Sequence, residues 1–246
     1  PPQPPDTASA AAPNMHLIAR FPGAAGNMRL TFTLQVGTNA LVKSGGNGSN
    51  TLNRVQSYDL VHLRLNQAQG QEPPDWVQDS GNGSSDGLRL VRWDAVQSQW
   101  MLGDDTGATE KSLTEFLQDK SNVQVRPVTV TVDVASPNGQ GFASPLSLGS
   151  FDFDPRSSDG LTSTFTLIPG TRLQFLTTPF TINLSSDLTD PTKTNPNQLP
   201  LAIVRSLIGK NVINNLPHDN IPVASRQAMY TPVSYTHLRA HETGRN

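Results

Sequence analysis

Ser121-Asn-Val-Gln-Val-Arg-Pro-Val-Thr-Val-Thr-Val-Asp-Val-Ala-Ser136 places valine at every second position on both sides of Pro127. Side chains of an extended chain alternate between two faces. Val128, Val130, Val132 and Val134 therefore share one face, and Thr129, Thr131 and Asp133 the other. That is the pattern of an antiparallel sheet with one face in a core and one toward water. Proline has no N–H to give to a ladder, so a bulge, a bend or an edge position is expected at Pro127, with a shorter strand from Val123 to Arg126 before it.

The same alternation recurs on either side. Met28, Leu30, Phe32, Leu34 and Val36 alternate with polar residues, and a short strand is expected from Met15 to Phe21 ahead of them. Tyr58 to Leu65 places Val61, Leu63 and Leu65 on one face and His62 on the other, where a surface or hydrogen-bonded role outweighs a catalytic one. Leu88 to Trp93 and Gln99 to Leu102, joined by a polar turn, read as a hairpin. Further strands are expected at 146–153, 161–168, 171–177 and 179–184, with turn signals such as Asp159-Gly160 and Pro169-Gly170 between them. Two helices are expected. One lies near 112–119, where Ser112 and Glu115 have capping-box spacing. The other lies near 200–208, opened by Pro200 and stopped by Gly209. The fold class that follows is mainly β: an antiparallel, sandwich-like domain over 15–231 with one or two short helices, either single or divided near 187–200.

Composition narrows function by exclusion. The chain has 246 residues, 35% hydrophobic and only 15% charged, with a formal net charge of -2. Acids and bases are spread along its length, leaving no basic stripe for nucleic acid and no polybasic membrane patch. With no cysteine, disulfides, thiolate metal sites and a Cys nucleophile are excluded. No apolar run approaches the roughly 20 residues that span a bilayer. Residues 1–14 (PPQPPDTASAAAPN) read as a Pro/Ala-rich linker. The Pro-Pro opening, without an initiator methionine, suggests a fragment or a mature product. Polarity carried by Ser, Thr, Asn, Gln, Gly and Pro suits an exported β-protein at a cell surface, outside the cell or in a periplasm, and equally a virion shell.

Several constellations invite chemistry. Asp105-Thr-Gly-Ala108 resembles the signature of retroviral-type aspartic proteases, with Leu207-Ile-Gly209 as the later apolar element; the resemblance implies paired aspartates that share a proton and activate water. Gly103-Asp104 departs from it, standing where the family has the apolar pair that feeds the aspartate from a buried strand. Gly45-Gly-Asn-Gly-Ser-Asn50 resembles one copy of a calcium-binding nonapeptide, although one copy cannot stack into a calcium roll. Asp152, Asp154 and Asp159 form a better oxygen set for a hard cation, so calcium is the cofactor to test; otherwise none is expected. Neither the loop from Gly45 to Asn50 nor the second Gly-rich run, Ser80-Gly-Asn-Gly-Ser-Ser-Asp-Gly87, has the Gly-Lys-Ser/Thr ending of a phosphate cradle. Trp76, Trp93 and Trp100 could stack on sugar rings, with cross-strand packing as the ordinary alternative for the last two. A Ser-His-Asp triad assembled from His16, His62 or His218 lacks a nucleophile-elbow context. Leu201, Ile203, Val204, Leu207 and Ile208 wrap most of the second helix, which is expected either to be buried or to meet a partner.

These features favour a non-catalytic structural or assembly module, with a protein partner or self-assembly, over a glycan-binding module, a viral capsid or tail protein, or an aspartic-protease-like hydrolase. No catalytic residue is expected. The tail stands apart. Val233-Ser-Tyr-Thr-His-Leu-Arg-Ala-His-Glu-Thr243 resembles translated sequencing-adapter read-through, which implies that 232–246 is not native protein and removes His237 and His241 from any metal argument. Resequencing across codon 232 from an adapter-free library checks this.

Overall fold

The computed structural model describes residues 15–21, 27–43, 50–65, 87–103, 109–118, 123–138, 141–192, 194–209 and 235–236. In chain order its elements are β1 (Met15–Ala19), β2 (Arg29–Val36), β3 (Leu41–Val42), β4 (Thr51–Leu52), β5 (Leu60–Leu65), β6 (Gly87–Asp94), β7 (Gln99–Gly103) and β8 (Glu110–Ser112). After α1 (Leu113–Leu117) come β9 (Val123–Ala135), β10 (Leu146–Phe151), α2 (Leu161–Thr164), α3 (Arg172–Thr177) and β11 (Phe180–Leu184). α4 (Ser186–Thr189), α5 (Leu199–Gly209) and β12 (Tyr235–Thr236) complete the order.

The fold is mainly antiparallel β and sandwich-like. Its large sheet runs β12-β2-β9-β5-β6-β7-β8, with β10 also paired to β9; β1 pairs with β11, and β3 with β4. The 13-residue β9 organises the whole. Its second half, from Val128 to Ala135, lies beside β2, and its first half, from Val123 to Pro127, beside β5. The buried face changes between the two halves. Val128, Val130, Val132 and Val134 enter a first core with Leu30, Phe32 and Leu34 of β2, Phe180 of β11 and Val204 of α5. Val123 and Val125, on the opposite face, enter a second core with Leu41, Leu52, Trp100, Leu113 and Leu117. β5 and β6 divide in the same way: Leu60, Leu88 and Leu90 go to the first core, and Val61, Leu63 and Val91 to the second. A strand with one apolar face thus serves two cores by exchanging the face it buries.

Pro127 marks that exchange, but the strand does not break there. β2 ends opposite it: the Gly37 N–H donates to the Pro127 carbonyl at 2.8 Å, and the reciprocal bond is the one a proline cannot make. Beyond this point the Asn39 side-chain oxygen accepts from the Val125 N–H at 2.9 Å, so the next donor on β9 is still satisfied. The close approach requires glycine. A Cβ on Gly37 would meet the Pro127 ring carbon Cγ at 2.9 Å. Gly37→Ala is expected to lower stability by ~1–2 kcal/mol through this overpacking, read as a lower urea midpoint with unchanged slope.

The hairpin of β6 and β7 forms as its alternation predicts, with Trp93 opposite Trp100. The α1 cap forms as well, the Ser112 hydroxyl oxygen accepting from the Glu115 N–H at 3.1 Å. The strands expected at 161–168 and 171–177 do not form: these segments hold the short helices α2 and α3. The cause is tertiary and local together. Gly160 N-caps α2, and Thr171 and Gln174 have capping-box spacing, the Thr171 hydroxyl oxygen accepting from the Gln174 N–H at 3.1 Å. The helix expected near 200–208 is α5. Leu201, Ile203, Val204 and Leu207 lie in the first core, so this face is intramolecular rather than a partner contact. Nothing is described of the Ile208 side chain.

Candidate functional site

Three groupings bear on function. The first lies where the loop after β10 meets the start of β5. The Asp152 carboxylate accepts from the Asp154 N–H at 3.1 Å, and the buried Asp154 carboxylate accepts from both the N–H and the Nε of Arg156, at 3.0 and 2.8 Å. The Arg156 guanidinium also covers the Tyr58 ring at 3.7 Å and donates to Asn197 at 3.0 Å, tying this loop to the turn before β5 and to the lead-in of α5. Tyr58 takes a left-handed conformation, with φ of 75°. Asp159 is exposed. The oxygen set expected from Asp152, Asp154 and Asp159 is therefore turned into its own loop. Among the described residues no three His, Asp or Glu side chains are grouped to hold a metal ion.

The sequence reading passed over Asp59, which joins this junction. Burial pushes its carboxyl up to about 6; the bond from the Gln56 N–H opposes the rise, and Asp152 and Asp154 add to it. Burial also raises Asp152. A carboxyl whose folded pKa exceeds its unfolded value keeps its proton better in the fold, so its contribution to stability is fully present below about pH 4 and is lost as pH rises through about 6. Asp59→Asn is expected to match the unmutated chain near pH 4 and to be more stable by ~2 kcal/mol at pH 8, a figure reduced for partial solvent screening. Denaturant melts of both proteins across that range check it.

The second grouping is the tryptophan pair. Trp93 and Trp100 meet edge to face, centroids 5.5 Å apart and planes at 67°. Trp100 is 9% exposed and packs in the second core, whereas Trp93 is 41% exposed. The two indoles make a cross-strand contact and not a flat platform. Trp76 lies outside the described residues, as do the Asp105-Thr-Gly-Ala108 signature, residues 44–49 of the first Gly-rich loop, and His237 and His241.

The third grouping was not read from the sequence. α3 is turned inside out. Gln174 is its inward residue, donating through Nε2 to the Ser163 and Thr164 carbonyls at 3.0 Å each and accepting through Oε1 from the Gly170 N–H at 2.9 Å. Leu173 and Leu176, three residues apart on one face, are 72% and 56% exposed. The preceding Leu167 and Ile168 are also exposed. Phe175 leans back to β1, meeting Phe21 edge to face at 5.7 Å and lying under the Arg20 guanidinium at 5.0 Å. Arg20 in turn donates to the Thr166 and Thr178 carbonyls at 3.0 Å each, which fixes the knob that carries these residues. The signal that could have found it is the Thr171-x-x-Gln174 capping box followed by apolar residues.

No known protein family, curated protein or solved structure gives a significant match to this chain.

Proposed function

We propose that the chain is a non-catalytic structural or assembly module of an exported or particle-forming protein. The observation that carries this reading is the outward apolar face of α3, held rigidly by inward hydrogen bonds. Leu173 and Leu176 on one face of a short helix, with Leu167 and Ile168 just before it, place several large apolar side chains in solvent, as an interaction surface does. The carboxylates most suited to chemistry, Asp152 and Asp154, hold their own loop and Arg156 in place. Among the described residues Trp93 is the tryptophan that favours the glycan reading, since Trp100 belongs to the second core.

The test assays the purified chain on broad peptide and glycoside panels and passes it over immobilised glycans. The expected result is no turnover and no retention. Turnover abolished by Asp105→Asn with the fold intact would replace the assembly reading with a hydrolase. Retention lost in Trp93→Ala would replace it with a sugar-binding module.

A further inference from the structure

We propose that the edge of β1 at Leu17 and Ala19 and the outward apolar residues of α3 form one self-complementary surface, and that its occupant is a second copy of this chain. The inference rests on the assembly reading and names its partner. Among the described residues β11 is the sole strand neighbour of β1. The Arg20 N–H donates to the Pro179 carbonyl at 2.9 Å, so strand alternation turns the peptide groups of His16 and Ile18 toward β11 and those of Leu17 and Ala19 to the open side. Met-His-Leu-Ile-Ala contains none of the lysines, prolines or acids with which natural edge strands block pairing.

The edge and the knob are continuous, because Phe175 of α3 packs on Phe21 and Arg20 at the end of β1. Together the surface offers Ile18 (42% exposed), Leu167 (52%), Ile168 (83%), Leu173 (72%), Phe175 (40%) and Leu176 (56%). At ordinary residue areas these six together expose on the order of 600–700 Å², backbone included. A standard interface uses about 800 Å² per partner, so the surface is of the size that a stable dimer needs.

The chemistry selects the occupant. Open peptide groups need peptide groups opposite them, which lipid tails cannot supply. From Phe165 to Ser186 the one charged residue is Arg172, so recognition by charge has little to hold. A second copy satisfies both conditions. Antiparallel pairing centred on Ala19 lets that residue exchange both main-chain bonds with its own copy across a two-fold axis, and sets Arg20, on which Phe175 of the α3 knob packs, opposite Ile18 of the other chain, so that the two knobs meet beside the axis.

Sedimentation velocity of the full chain over about 1–100 µM decides the matter. The mass at the upper end is expected to be twice that of the monomer, and to stay so between about 0.05 and 0.5 M NaCl, since no ion pair is involved. Leu173→Glu with Leu176→Glu, and separately Ile18→Lys, are expected to return the chain to monomer with its circular dichroism unchanged and its melting temperature no longer dependent on concentration, because within one chain these side chains are exposed. A monomer across the whole range, or a dimer that survives both variants, overturns the proposal. So does a monomeric chain that binds phosphatidylcholine–phosphatidylserine vesicles and loses them on Leu173→Glu with Leu176→Glu. Turnover by a dimeric chain would remove the assembly reading and leave the dimer; a monomeric, catalytically silent chain would remove the dimer alone.

Discussion

Val132→Asp is expected to leave the chain unfolded at neutral pH, whereas Thr129→Asp should melt close to the unmutated protein. Val132 is fully buried between Phe32 on β2 and the β10 ladder, and its neighbours in the first core are apolar. A carboxylate there has no partner, and burying it unpaired costs ~4 kcal/mol or more, most of the stability of an ordinary domain. Thr129 stands on the opposite face, where the Ser150 hydroxyl donates to it at 3.0 Å, a bond that an aspartate can also accept. Loss of the far-ultraviolet strand signal in the first variant and its retention in the second is the expected pair of results. The reverse sensitivity would mean that β9 is paired one residue out of step.

Phe165→Ala is the second substitution with a large expected effect, a loss of ~3–5 kcal/mol. Phe165 is the centre of an aromatic cluster: it stacks on Phe180 at 4.3 Å with planes 13° apart and meets Phe151 edge to face at 5.1 Å. Phe180 continues the cluster to Phe32 on β2, at 6.1 Å. Removing the middle ring opens a cavity between the β1–β11 pair and the main sheet, and Phe165→Leu, which refills most of that volume, should recover more than half of the loss. Urea titrations of the three proteins give the comparison directly.

Phe165 also shows where a linear reading succeeds and where it stops. Its burial accords with a run of alternating apolar residues, but its secondary structure does not, because the four-residue helix that Phe165 C-caps is decided by Gly160 and by bonds to distant segments. A Cβ on Gly160 would strike the Asp154 carbonyl oxygen, a constraint that no local pattern reveals. The long valine repeat, the Met28 to Val36 strand and the Ser112 cap were legible because each depends on residues within a few positions of one another. The junction at Asp59 was not, since Asp152, Asp154 and Arg156 lie far along the chain and meet it only through the fold. The same holds for α5. Its all-round apolarity is compatible with a core or with a partner, and only the packing of Leu201, Val204 and Leu207 against the sheet distinguishes them.

The change of buried face along β9 also bears on how the chain reaches its native state. Arg29 pairs with Ala135 and Leu63 with Val125, so the ladders on both sides of this strand close loops of many tens of residues. Pairings of that separation slow folding, because chain entropy must be lost before they form. Neither core can close before β9 arrives, and once it arrives it holds a wall of each. Native-state hydrogen exchange should therefore show the amides of β2 and β5 opening together with those of β9, as one cooperative unit and not as two halves of a sandwich.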